Sequence, residues 1–336
     1  MELKTGKLVA LSRRAILLGL ALLPVAGAAL AQEVRPIKIG TPSVSVASAN
    51  LRVASQMGLF DKYNLRPEFV RLENGSVATT AVISGSVEFT ISGLSDLLAA
   101  QASGQDIVTI GNLYAGFANS LVLSNATVES LGVAPDAPVE ERIASLDGLL
   151  IAGASATFVG TLATKAAALD SGVEIRWTYM AQDNMPSALE SGAIQGYIGA
   201  TPASVIPVMR GLAVTWLSGP RGEFPHSPLT SSVLQVRRDF ADANPDLVTA
   251  MQSVMADFAA EVANNPEGVK EAMVALYPTL DPAIIDIFLA EEAGTAWKGV
   301  PLTAEEMAHE IQFMRDSGVM PAEQLDALDP ARIVYP

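Results

Sequence analysis

Hydrophobic and polar positions past Gln32 alternate between two periods. Short runs rich in Val, Ile, Phe and Tyr with a two-residue repeat are separated by stretches in which apolar residues recur every three or four positions. The short runs predict strands at Ile37 to Thr41, Pro67 to Leu72, Glu88 to Ile91 and Ile107 to Gly111. Helices are predicted between them at Val46 to Met57, Val77 to Ser84 and Asp96 to Ala102. After Pro135 to Pro138 the rhythm resumes, with strands at Leu149 to Gly153, Val173 to Tyr179, Tyr197 to Gly199 and Val214 to Leu217. Helices at Phe158 to Leu169, Pro186 to Ser191 and Ala203 to Met209 alternate with these strands. Such alternation calls for parallel strands, right-handed crossovers and helices on both sheet faces. From Asp239 onward the pattern is helical, with Asn-Pro and Asp-Pro starts, and these helices are expected to buttress the first unit.

Two β-rich runs, Ser120 to Ser124 and Ser232 to Arg237, lie where the chain would cross from the first α/β unit to the second and return. The fold class is therefore α/β, with two parallel-sheet lobes joined by a two-strand hinge. The organisation is residues 1–31 as a leader, 32–119 as the first part of lobe 1, 120–237 as lobe 2 and 238–336 as the helical remainder of lobe 1. In open α/β sheets ligands bind beyond the carboxyl ends of the strands. The turns there are Thr41 to Ser45, Ser92 to Ser95, Asn112 to Tyr114, Ala154 to Thr157, Met180 to Gln182 and Ala200 to Pro202. They are rich in hydroxyls and short of charge. Hydroxyls with free N–H groups at a helix start can hold an oxyanion without a salt bridge. Any one of them, taken singly, reads more readily as an N-cap. Tyr114 is the aromatic expected to line a ligand, and Trp177 is assigned to the core.

Composition narrows the functions. The chain has 336 residues, 50% of them hydrophobic, and a net charge of −15, which opposes any nucleic acid backbone. There is no cysteine, so disulfides, thiolate metal sites and a lipidated cysteine anchor are excluded. His226 and His309 lie on separate elements, and position 313 is Phe, so no H-E-x-x-H metal motif exists. No cofactor is called for. Lys4, Lys7, Arg13 and Arg14 precede an apolar run from Ala15 to Leu23 and the small residues Ala29 and Ala31, the order of a signal peptide. Cleavage is expected after Ala31, and Ser12-Arg13-Arg14 hints at a twin-arginine route, with Sec export open. Four of the 21 basic and one of the 36 acidic residues lie in this leader, so residues 32–336 carry −18. The product is expected outside the cytoplasm.

Gly58-Leu59-Phe60-Asp61-Lys62-Tyr63-Asn64-Leu65-Arg66-Pro67-Glu68 resembles the segment in which periplasmic substrate-binding proteins of ABC importers for nitrate, sulfonates, taurine and thiamine-precursor pyrimidines end a helix and enter the next strand. Asn64 takes the usual glycine place. Ile83-Ser84-Gly85-Ser86-Val87-Glu88-Phe89, Ser145-Leu146-Asp147-Gly148 and Ala188 to Gly196 are similar to later segments of that family, with Glu88 and Gln195 where Asp is usual. The resemblance implies a type II periplasmic binding protein, monomeric in the periplasm, with a ligand between two closing lobes and an inner-membrane ABC permease as partner. The positions matching its ligand-contacting turns are Ser43, Val44, Ser45, Gly93, Ser95, Ser155, Thr157 and Thr201. Arg176 and Arg221 are expected at the surface.

The expected function is capture of a small organic anion, a sulfonate or carboxylate, with a neutral pyrimidine-like solute as the alternative. No catalytic residue is assigned. The competing class is an exported serine hydrolase, because Gly153-Ala154-Ser155-Ala156-Thr157 approaches the G-x-S-x-G nucleophile elbow. It requires His226 or His309 within reach of Ser155. A pyrimidine-synthesising enzyme of the same fold depends on a cysteine-rich segment and is excluded by composition. A solute sensor acting on a membrane receptor uses the same fold and is not separated from an importer component by sequence.

Overall fold

The computed structural model describes residues 34–42, 45–298 and 302–336. The expected leader and Ser43 and Val44 lie outside them. Ten strands occupy the positions that the period-two runs mark: β1 (Arg35–Pro42), β2 (Leu65–Leu72), β3 (Phe89–Ser92), β4 (Ile107–Ala115), β5 (Asn119–Ser124), β6 (Leu150–Gly153), β7 (Arg176–Tyr179), β8 (Gly196–Ala200), β9 (Ala213–Ser218) and β10 (Thr230–Arg237). They form two five-stranded sheets, ordered β2-β1-β3-β10-β4 and β7-β6-β8-β5-β9. Helices cover both, giving the two-lobed α/β fold.

The expectation of parallel strands holds for β1 with β2 and β3 and for β6 with β7 and β8. It fails for β4 and β9, because the two runs read as the hinge, β5 and β10, are strands of the sheets themselves, each antiparallel to both of its neighbours. The reason is connectivity. A strand that arrives directly from the other sheet, rather than through a crossover helix, has no handed βαβ unit fixing its direction. The strand Thr230–Arg237, which sequence placed at the end of lobe 2, pairs within the first sheet. The two crossings run side by side: Gly116 N–H donates to Leu229 O at 2.6 Å, Ser231 Oγ–H to Gly116 O at 2.6 Å and Gly219 N–H to Asn119 O at 2.9 Å.

Helix α1 (Asn50–Gln56) starts four residues later than its apolar pattern suggests, because residues 45–49 form the turn leaving β1. Helix α2 (Gly75–Ile83) is capped by Asn74, whose side chain accepts the Val77 N–H at 3.0 Å. Helix α3 (Leu94–Ala102) follows β3 with only Gly93 between them. One core joins β1, β3, β4 and β10 to α1 and to the helices Pro245–Asn264, Pro266–Leu276 and Pro282–Phe288. A second core is continuous from Leu94, Leu97 and Leu98 of α3 to Leu121, Ile151 and Trp216 of the second sheet. It runs through Met307, Ile311 and Met314 of helix Ala304–Asp316. That C-terminal helix touches both α3 and helix Val159–Asp170, so it braces both sheets where the pattern alone suggested the first. Its Glu310, 1% exposed, accepts the Leu229 and Thr230 N–H groups at 2.6 and 3.0 Å and so ties the helix to the return crossing.

Candidate functional site

The strand ends of the two sheets face one another across a cleft whose empty space, open solvent at its mouth included, is about 640 Å³. Its wall includes Pro42, Ser45, Ser92, Gly93, Asp96 and Tyr114 on the first side. Asn119, Ala154, Phe158, Gln182 and Ala200 line the second, and Ser231 and Ser232 come from β10. No lysine or arginine is among the described lining residues, and the two charged ones, Glu73 and Asp96, are acidic.

Asp96 is the third residue of α3 and is 5% exposed. Its Oδ1 accepts Thr157 Oγ1–H at 2.6 Å and Ser76 Oγ–H at 2.9 Å, and its Oδ2 accepts Ser92 Oγ–H at 3.0 Å. The Gly93 backbone contributes a fourth hydrogen bond. Ser76 opens α2, and Thr157 precedes helix Val159–Asp170 of the second sheet. The carboxyl group thus sits where two helix starts of the first lobe meet a turn of the second, a position that favours negative charge. Burial outweighs the hydroxyl and backbone donors, which pull the other way, and holds its pKa above the ordinary carboxylate value. Gly75 is required by this approach, since a Cβ there would stand 2.2 Å from Asp96 Oδ2.

The sequence-predicted residues divide. Ser45, Gly93 and Tyr114 line the cleft. Ser95, Ser155 and Thr157 lie beside it in the contact between the two sides. Ser95 Oγ–H donates to Thr157 O at 2.8 Å, while Ser76 Oγ is 3.1 Å from Ser155 Oγ and 2.8 Å from Thr157 Oγ1. Neither Ser155 nor Thr157 caps the helix that follows, whose N-cap is Phe158. Thr201 is set back from the wall. Its carbonyl accepts Ser45 Oγ–H at 3.2 Å and Val46 N–H at 2.9 Å, and its hydroxyl donates to Glu292 at 3.4 Å. Glu292 also accepts the Tyr114 O–H at 2.5 Å. Burial raises Glu292 to about 7, and burial with the neighbouring carboxylate pushes the Tyr114 hydroxyl up as well.

Sequence reasoning missed Asp96, Ser76, Glu292 and Asn119. Asn119 opens β5, is 3% exposed, and its Oδ1 is buried with no hydrogen-bond partner. Ser232 Oγ on the same wall is likewise unpartnered. A signal for Asp96 existed: Gly93-Leu94-Ser95-Asp96 places an acidic residue at the third helical position, where its side chain can reach back to the N-cap N–H.

The arrangement does not activate Ser155 as a nucleophile. Its hydroxyl partners are Ser76 and Thr157. His226 lies between Asp170 and Asp316 at 2.5 and 3.2 Å, and His309 contacts Ser227 O at 2.9 Å. Arg176 is exposed, and Arg221 pairs with Glu223 at 3.2 Å, so neither reaches the cleft. Among the described residues no group of three or more His, Asp or Glu could hold a metal ion, and no helix is long and apolar enough to cross a membrane.

The family model described as NMT1/THI5 like matches residues 46–269, two thirds of the chain. No curated protein matches it in sequence. Among solved structures it is similar to the alkanesulfonate-binding protein SsuA of Xanthomonas axonopodis pv. citri bound to MOPS. The two are 20% identical with a TM-score of 0.70, over 91% of this chain and 99% of that one. The periplasmic aliphatic sulphonate binding protein SsuA of Escherichia coli gives 17% identity and 0.66, over 90% and 97%. The periplasmic nitrate-binding protein NrtA of Synechocystis PCC 6803 gives 16% and 0.68, over 88% and 85%.

Proposed function

The chain belongs to the NMT1/THI5-like family, and from that premise we propose that it is the solute-binding component of an ABC import system. In this reading it is exported to the periplasm, holds a small solute in the cleft between its two sheets and delivers it to an inner-membrane permease. The solved relatives named for sulfonate and nitrate support the class of protein, and at 20% identity or less their cargo does not carry over.

The cleft favours a neutral, pyrimidine-like solute over the sulfonate or carboxylate first expected. The observation that carries this is the charge of the wall: among its described residues no lysine or arginine, two carboxyl groups, and hydroxyls already engaged with one of them. An incoming oxyanion would find no cation among the described lining residues to offset its lost hydration, and the hydroxyls it would need are already given to Asp96. Tyr114 and Phe158 offer flat apolar contact, and Asn119, whose Oδ1 has no partner within the protein, offers polar recognition.

A thermal-shift screen of residues 32–336 against pyrimidines, sulfonates, carboxylates and nitrate tests this. A solute at a hundred times its Kd stabilises by about 2.7 kcal/mol, a shift of several degrees. The expected result is stabilisation by neutral heterocycles and none by the anions. Stabilisation by sulfonates or nitrate would reverse the solute class, and silence from every member of a broad panel would contradict the receptor.

A further inference from the structure

Four donors drawn from both sides of the cleft converge on one carboxyl group. Ser76, Ser92 and the Gly93 backbone come from the first side and Thr157 from the second, and all of them reach Asp96. The hydroxyl turn at residues 155–157 has the composition of an oxyanion cradle, and its Thr157 hydroxyl lies 2.6 Å from Asp96 Oδ1. Helices α2 and α3, nine residues each, start around the same group. Gly75 has no side chain where a methyl group would stand 2.2 Å from Asp96 Oδ2.

We infer that Asp96 is the specificity-determining clasp of the cleft: its carboxyl group occupies the protein's own oxyanion cradle, joins the two lobes there and keeps solute oxyanions out. Asp96 and the residues it binds bridge the lobes at one point, and Ser95 Oγ to Thr157 O at 2.8 Å reinforces it. A group that already accepts Thr157, Ser76 and Ser92 leaves those hydroxyls little capacity for a second acceptor. The inference rests on the cleft being the solute site, and its test needs no solute.

Chemical rescue reads it directly. The chain has no cysteine, so Ser86→Cys and Glu190→Cys, both exposed and one on each lobe, give a clean pair of spin-label sites. In the otherwise unaltered chain the interlobe distance distribution should be narrow and insensitive to 50 mM formate. Asp96→Ala should broaden and lengthen it, and formate, which replaces the missing carboxyl group, should restore the narrow distribution saturably. Asp96→Asn keeps the side-chain volume and serves if the alanine variant does not fold; it should widen the distribution partially. An unchanged distribution in either variant would overturn the clasp. So would a widened Asp96→Ala distribution that formate leaves as it is, or a saturable response to formate with Asp96 in place. None of these outcomes bears on whether the cleft takes a solute, which the thermal-shift panel decides separately.

Discussion

Two polar groups on the wall of one cleft have opposite circumstances. Asp96, 5% exposed, is met by hydroxyls from Ser76, Ser92 and Thr157. Asn119, 3% exposed, has an Oδ1 with no partner within the protein. Equal burial therefore says little about role. A saturated buried group holds the protein to itself, whereas an unsatisfied one costs about 1–3 kcal/mol and marks a place where something else is expected to bind. In the proposed reading the Asp96 end serves closure and the Asn119 end, beside the crossing strands, recognition.

The largest expected effect concerns pH. Burial raises Glu310 to about 8 and Glu292 to about 7, both above the ordinary 4.5 of the unfolded chain. A folded-state pKa above the unfolded value means the fold holds the proton more tightly. These groups therefore contribute fully below about pH 4.5, and that contribution is lost as pH rises through 7 and 8. Stability should fall from pH 5.5 to 8.5 by on the order of 5 kcal/mol, and Glu310→Gln should flatten the profile. The next breaks the saturated end. Gly75→Ala pushes a methyl group into Asp96 Oδ2, and denaturant titration should record a loss of about 3 kcal/mol, the scale of a disrupted buried network.

A smaller effect sharpens the other end. Asn119→Leu removes an unpaired amide, so the midpoint of the solute-free protein should hold or rise by up to about 1 kcal/mol. The tightest solute from the panel should meanwhile bind at least tenfold more weakly, about 1.4 kcal/mol, by calorimetry. A fall in both would make Asn119 a structural residue. The smallest effect is at the rim, where Arg71 pairs with Asp183 across the two sides and both are partly open to water. Arg71→Ala should cost below about 0.5 kcal/mol, and salt should erase the difference.

Much of the fold is legible locally. Each of the ten strands falls on a period-two run, and the recurrence of hydroxyls at strand ends points to residues 95, 155 and 157, which meet between the lobes. Direction and function are less so. The antiparallel setting of β5 and β10 depends on which sheet the preceding strand belongs to, a property of topology that no local period carries. Asp96 reads in sequence as an ordinary acidic residue in the first turn of a helix. Its partners lie 20 and 61 residues away, and only the folded register brings them to one carboxyl group. Glu292 and Glu310 are similar cases, hidden in acidic stretches that look solvated until the burial of one carboxyl in each is seen.

Isothermal titration of residues 32–336 with nitrate and methanesulfonate, beside the Asp96→Ala variant, tests the central claim most directly. The account predicts no saturable heat from either anion with Asp96 present and measurable binding once its carboxyl group is removed. Saturable binding of either anion to the chain with Asp96 in place would contradict it.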